Sequence, residues 1–220
     1  MLRSLGVQVT TMPKEVEVLV APKILRTRKF VAALASAPLV VDIKYLDVAL
    51  SEKKLVENPS LLKDPESEER FGFKLSESLE RAKVNDRKLL QGWSIFVTEQ
   101  IPGGFETFDD IIKMNGGAPM KYKARVGVKI DKYPGKGDPK AGPEIRNQGG
   151  DDEHKYVYLV SGTSNEEVKL WKPFRDLAAK QDLEARIVKS DWLLNAAMSQ
   201  QIRWDDKWLL DEETTSSKRG

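Results

Sequence analysis

Residues 26–35 read Arg26-Thr27-Arg28-Lys29-Phe30-Val31-Ala32-Ala33-Leu34-Ala35, followed by Leu39-Val40-Val41 and Asp42-Ile43-Lys44-Tyr45-Leu46. The stretch from Thr27 to Ala35 reads as a helical segment, with Arg26-Thr27-Arg28-Lys29-Phe30 at its opening. The apolar, β-branched run Leu39-Val40-Val41 that follows reads as a short strand. A second helical pattern runs from Asp42 to Lys53, with Ile43, Leu46 and Leu50 on one face. Upstream, Gly6-Val7-Gln8-Val9-Thr10 and Val16 to Ala21 read as strands. Strands alternating with helices favour a parallel sheet covered by helices.

The second half of the chain repeats this order. Trp93 to Thr98 reads as a strand and Thr107 to Asn115 as a helix, with Gly116-Gly117 at its C-terminal end. Strands are expected at Ala124 to Ile130, Lys155 to Ser161 and Ala185 to Val188. Ser164-x-x-Glu167 has capping-box spacing, Ser190 can cap the helix carrying Trp192, and Pro173 should kink or split the segment from Ser164 to Lys180. Gly6 matches Gly117, Val20 matches Val160, Tyr45 matches Trp192 and Asp64 matches Asp211, at offsets of 111, 140, 147 and 147. The jump between the first two offsets places an insertion at 129–155, where five glycines and three prolines read as a long loop.

Run backward, the first offset puts the opening strand of the first unit before Met1, leaving only the end of its first helix, Met1 to Leu5. Ser76 to Leu90 reads as a linker helix, preceded by the charged run Lys63 to Arg70. The expected organisation is a first unit at 1–64, a linker at 65–91, a second unit at 92–213 and a tail at 214–220. The fold class is α/β, each unit a small parallel four-stranded sheet flanked by helices, the first lacking its first strand and most of its first helix.

Composition narrows the chemistry. The 220 residues contain no cysteine and one histidine, and 36 basic against 34 acidic side chains give a net charge of +2. Without thiolate, disulfide scaffolds, zinc fingers and cysteine nucleophiles are excluded. One histidine, His154, cannot build a two-histidine metal site, and Ser-His-Asp hydrolysis is disfavoured. No catalytic residue, cofactor or metal is expected. No run approaches the roughly 20 apolar residues of a membrane span, so no membrane partner is expected. Gly135 to Lys140 lacks the spacing of a phosphate loop, and Asp151-Asp152-Glu153-His154 reads as a solvated loop.

A unit with a glycine turn after helix one, Arg-Thr-x-Lys-Phe opening helix two and an aromatic in helix three resembles the BRCT domain. Here those features are Gly6 or Gly116-Gly117, Arg26 to Phe30, and Tyr45 or Trp192. Two such units joined by a linker helix resemble the tandem BRCT arrangement, whose role is binding phosphoserine or phosphothreonine peptides. With Ser78-Leu79-Glu80-Arg81-Ala82 in the linker, the chain is most similar to the C-terminal pair of fungal multi-BRCT DNA-damage scaffolds, which read a phosphorylated histone tail. The resemblance implies a nuclear, non-enzymatic scaffold whose partners are a phosphorylated protein or histone tail and other DNA-repair proteins.

It also assigns residues. Lys29 is implied as the phosphate-contacting lysine, with Thr27 in the same motif, and Arg26 as the arginine that contacts the peptide main chain or a terminal carboxylate. The remaining phosphate ligands, a Ser or Thr hydroxyl and a glycine N–H, belong to a turn placed before Met1. The groove for the third residue past the phosphate maps onto Gln100-Ile101-Pro102-Gly103-Gly104. In the second unit Thr98 and Lys172 fall near the equivalent positions, but Glu99 replaces the glycine and makes that pocket degenerate. Independently of the family, Lys23, Arg26, Arg28 and Lys29 are four cations with no acid between Val18 and Val41. Cations at the positive end of a helix need a compensating anion, and phosphate is suitable. The competing readings are solvated side chains, direct DNA contact or a phospho-independent protein surface.

Overall fold

The computed structural model describes residues 2–123 and 156–211. The strand expected over 124–130, the insertion at 129–155 with the sequences at 135–140 and 151–154, and the tail at 214–220 lie outside the described residues. In chain order the elements are β1 (Val18–Val20), α1 (Arg28–Leu34), β2 (Leu39–Val41), α2 (Lys44–Glu52), α3 (Pro65–Phe71), α4 (Leu75–Asn85), β3 (Ser94–Thr98), α5 (Phe105–Met114), β4 (Ala118–Tyr122), β5 (Tyr156–Ser161), α6 (Asn165–Ala179), β6 (Glu184–Lys189) and α7 (Ser190–Ser199). They form a two-stranded sheet β1-β2 and a four-stranded sheet β4-β3-β5-β6. Every strand pairing in both is parallel.

The repeat is visible in the registers. Val20 pairs with Val41 in the first sheet, and their matches Val160 and Val188 pair in the second. Leu62 N–H donates to Val40 and Leu210 N–H donates to Ile187, each at 2.8 Å, so both units close with a chain segment bonded to the last strand. Helix α1 is capped by Thr27 and α6 by Ser164, whose hydroxyl and the Glu167 side chain complete the expected capping box.

β3 lies between β4 and β5 and is buried along its whole length. Ile95 and Val97 face one side with Trp192, Phe108 and Ile112, and Phe96 faces the other with Trp171 and Phe174, as period-two alternation requires. The first of these cores is continuous across the two units, since Phe30, Val31 and Leu34 of α1 pack in the same cluster as Ile111 and Leu193. Helix α1 therefore lies against α5 and α7 of the second unit.

Several expectations are corrected. Gly6 to Thr10 is not a strand. In the second unit the corresponding strand, β4, bonds only to β3, and the first unit has no counterpart of β3 among the described residues, so this segment has nothing to pair with. Val9 stands 78% exposed as a result. The second strand of the second unit is β4 at Ala118–Tyr122, immediately after the Gly116-Gly117 turn. The charged run before the linker is itself helical: Asp64 caps α3, Pro65 occupies its first turn and Gly72 ends it in the left-handed conformation. Helix α6 runs through Pro173 as one element; Trp171, Phe174 and Ala178, all fully buried, fix both sides of the proline in the core. The cap residue of α7 is Lys189, without a side-chain bond, and Ser190 is its first helical residue. Ile43 precedes α2 and is 49% exposed rather than on a buried face.

Candidate functional site

The loop from Ala21 to Thr27 joins the carboxyl end of β1 to α1, the edge at which parallel α/β sheets place their ligands. It is anchored from below by Asp64, whose Oδ2 accepts from Ile24 N–H at 2.8 Å while Oδ1 accepts from Ser67 N–H at 3.1 Å. Desolvation works against the Asp64 carboxylate, but the hydrogen bonds from Ser67 and Ile24 outweigh it and hold its pKa below the ordinary value. Ile24 itself is buried, so the loop is pinned through backbone and side chain together.

The four cations that cluster in the sequence separate in space into two classes. Arg26 Nη1 donates to Asp191 Oδ1 at 2.6 Å, at the start of α7, and its guanidinium lies 5.5 Å from the Phe71 ring. Its Nε is buried and has no hydrogen-bond partner among the described residues. Arg28 Nε donates to Asp110 Oδ2 of α5 at 2.6 Å, and that hydrogen bond raises its pKa further. The anions that compensate these two arginines are carboxylates of the second unit, not an external phosphate. Lys23 and Lys29 are exposed and form no ion pair among the described residues. The charge open to an anionic partner thus comes down to two lysines, which weakens the case for a basic DNA-binding stripe.

Thr27 accepts from Phe30 N–H through Oγ1 at 3.4 Å, so its oxygen caps α1 while its hydroxyl proton remains available to an acceptor. Residues 99–104 connect β3 to α5. Ile101 is 3% exposed and belongs to the core, so it does not line a groove; Gln100, Pro102, Gly103 and Gly104 remain at the surface. Gly103 and Gly104 take φ of 94° and 77°, which glycine adopts without strain. Gly104 caps α5 six residues before Asp110, about 9 Å along the helix axis. The Arg28–Asp110 bridge therefore ties the head of α1 to the helix that the 99–104 loop leads into.

The second unit is arranged differently. Lys172 sits two turns inside α6, remote from the helix start. Counting from the caps Thr27 and Ser164, the position of Lys29 is held by Glu166. Thr98 is fully buried, and its hydroxyl donates to Glu167 Oε1 at 2.6 Å. Sequence reasoning misses Asp110, Asp191 and the Glu167 contact, because their partners lie 82, 165 and 69 residues away. Asp64 carries a signal in its repeat match to Asp211, although not for its role.

The profile of the Regulator of Ty1 transposition protein 107 BRCT domain matches residues 1–62. BRCT-containing protein 1 of Schizosaccharomyces pombe is 28% identical over 212 residues, covering 94% of this chain and 22% of that protein. Human mediator of DNA damage checkpoint protein 1 is 33% identical over 129 residues, covering 54% of this chain and 6% of that protein. The chain thus spans less than a quarter of the length of these relatives. Among solved structures, the BRCT5-BRCT6 domains of S. pombe Brc1 superimpose with a TM-score of 0.68 at 25% identity, covering 97% of this chain and 91% of that one. Rtt107p in its complex with a phosphorylated histone superimposes at 0.58 with 18% identity, covering 96% and 83%.

Proposed function

We propose that this chain, a tandem BRCT pair, is a phosphopeptide-binding scaffold module that recruits a phosphorylated nuclear protein in the DNA damage response. The ligand we assign is a phosphorylated histone tail. In this reading the module is non-enzymatic and nuclear, with units at 1–64 and 92–213 connected through 65–91.

One observation carries the reading. Lys29 stands exposed at the head of α1 with no ion pair among the described residues, while both neighbouring arginines are consumed by the second unit. A lysine Nζ there, with the Thr27 hydroxyl beside it in the same turn, suits the oxygens of a phosphate monoester. The hydroxyl and glycine N–H that complete such a pocket in the family have no counterpart among the described residues of the first unit. Arg26 acts first as a strut between the units; it holds the surface on which the peptide main chain would lie. Gln100, Pro102, Gly103 and Gly104 form the far end of that surface.

The test is titration of phosphorylated and unphosphorylated histone-tail peptides against the full-length protein and against its Lys29→Glu variant. Preferential binding of the phosphorylated form, lost by at least tenfold in the variant, is expected, since a charge-assisted hydrogen bond contributes about 1.5–3 kcal/mol. Equal binding of the two peptides, or an unaffected variant, would sink the reading.

A further inference from the structure

The carboxylate of Glu167 is surrounded by donors. Oε1 accepts from the Thr98 hydroxyl at 2.6 Å and from Gly162 N–H at 2.8 Å; Oε2 accepts from the Ser164 hydroxyl at 2.9 Å and from Ser164 N–H at 3.4 Å. The residue is 1% exposed, and no cation pairs with it among the described residues. The four donors come from three places: the carboxyl end of β3, the turn after β5 and the head of α6. Carboxyl ends of parallel strands facing a helix start are where α/β sheets hold anions. Gly162 is part of the fit, because a Cβ there would collide with Glu167 Oε2.

We infer that Glu167 is the resident anion of the second unit: its carboxylate fills a donor set suited to a phosphate group and so closes that set to an external phosphate. A carboxylate and a phosphate ask for the same converging hydroxyl and amide donors. In the first unit the residue at the matching helical position is the apolar Phe30, which offers no carboxylate to the head of α1. This inference concerns the second unit and stands whether or not the first one binds phosphopeptide.

Glu167→Ala should empty the site without removing any donor. Its thermal midpoint is expected to fall by about 4–8 °C, as for loss of a buried hydrogen-bonded group in a chain of this size. Inorganic phosphate, compared with chloride at equal ionic strength, should then raise the midpoint of the variant more than that of the wild type. The Gly162 amide resonance should shift with the same titration. Glu167→Gln, which refills the space, should show no extra response to phosphate, and Thr98→Val combined with Glu167→Ala should lose it. If Glu167→Ala responds to phosphate no more than the wild type, or stays unfolded at every phosphate concentration, Glu167 is only a structural cap and the inference fails.

Discussion

Arg26 of the first unit and Asp191 of the second, 165 residues apart, meet at 2.6 Å between Nη1 and Oδ1. The bridge ties the head of α1, which carries Lys29, to the head of α7. It is partly open to solvent, with side-chain exposures of 29% and 46%. Its coupling therefore belongs with surface pairs, at about 0.2–1 kcal/mol and declining with salt. A double-mutant cycle of Arg26→Ala and Asp191→Ala, read by thermal unfolding at low and high salt, should return that coupling. The Arg26 substitution alone should cost more than Asp191→Ala, because it also removes the stack on Phe71.

Gln200 joins three elements through buried amides. Its Nε2 donates to Asn115 Oδ1 at 2.9 Å and to Ala197 O at 2.7 Å, and its backbone carbonyl accepts from Asn85 Nδ2 at 2.9 Å. Gln200→Leu leaves Asn115 Oδ1 buried without that donor. A loss of about 1–3 kcal/mol in urea unfolding is expected.

Acid should loosen the loop that presents Arg26. Because the folded pKa of Asp64 is depressed, its stabilising contribution is present above the unfolded value of about 3.9 and is lost as pH falls through the lower folded value. Asp64→Asn keeps the shape but not the charge-assisted bonds to Ile24 and Ser67. Wild type should therefore exceed the variant in stability at pH 6, and the gap should close as pH drops below about 4. A pH-independent gap would contradict this.

Gly116 occupies φ of +82°, and a Cβ there would lie 2.6 Å from the Arg87 carbonyl oxygen. Both the left-handed backbone and the backbone contact oppose any side chain. Gly116→Ala should destabilise by about 2 kcal/mol or more, whereas Gly72→Ala, which meets nothing within 4 Å, should cost only about 1 kcal/mol. Comparing the two melts separates collision from conformational strain.

Much of the fold is legible in the chain. Apolar periodicity locates α1, β2, β3, β5 and β6, and the shared offset of Tyr45 and Trp192 anticipates that α2 and α7 occupy equivalent places. The segment at Gly6 to Thr10 misleads because its pattern is that of a strand, while a strand exists only when a neighbour takes its hydrogen bonds. Pro173 does not split α6: the local penalty is real, but burial of Trp171 and Phe174 outweighs it.

By itself the sequence determined local and repeated properties: the capping box at Ser164, the glycine turn at 116–117, the duplication, and which side chains are charged. Only the tertiary structure decided which of those charges are free. Pairing depends on distance in space, and the carboxylates that occupy Arg26, Arg28 and Thr98 come from residues 165, 82 and 69 positions away. Folding thereby turned a run of four cations into two inter-unit struts and two open lysines.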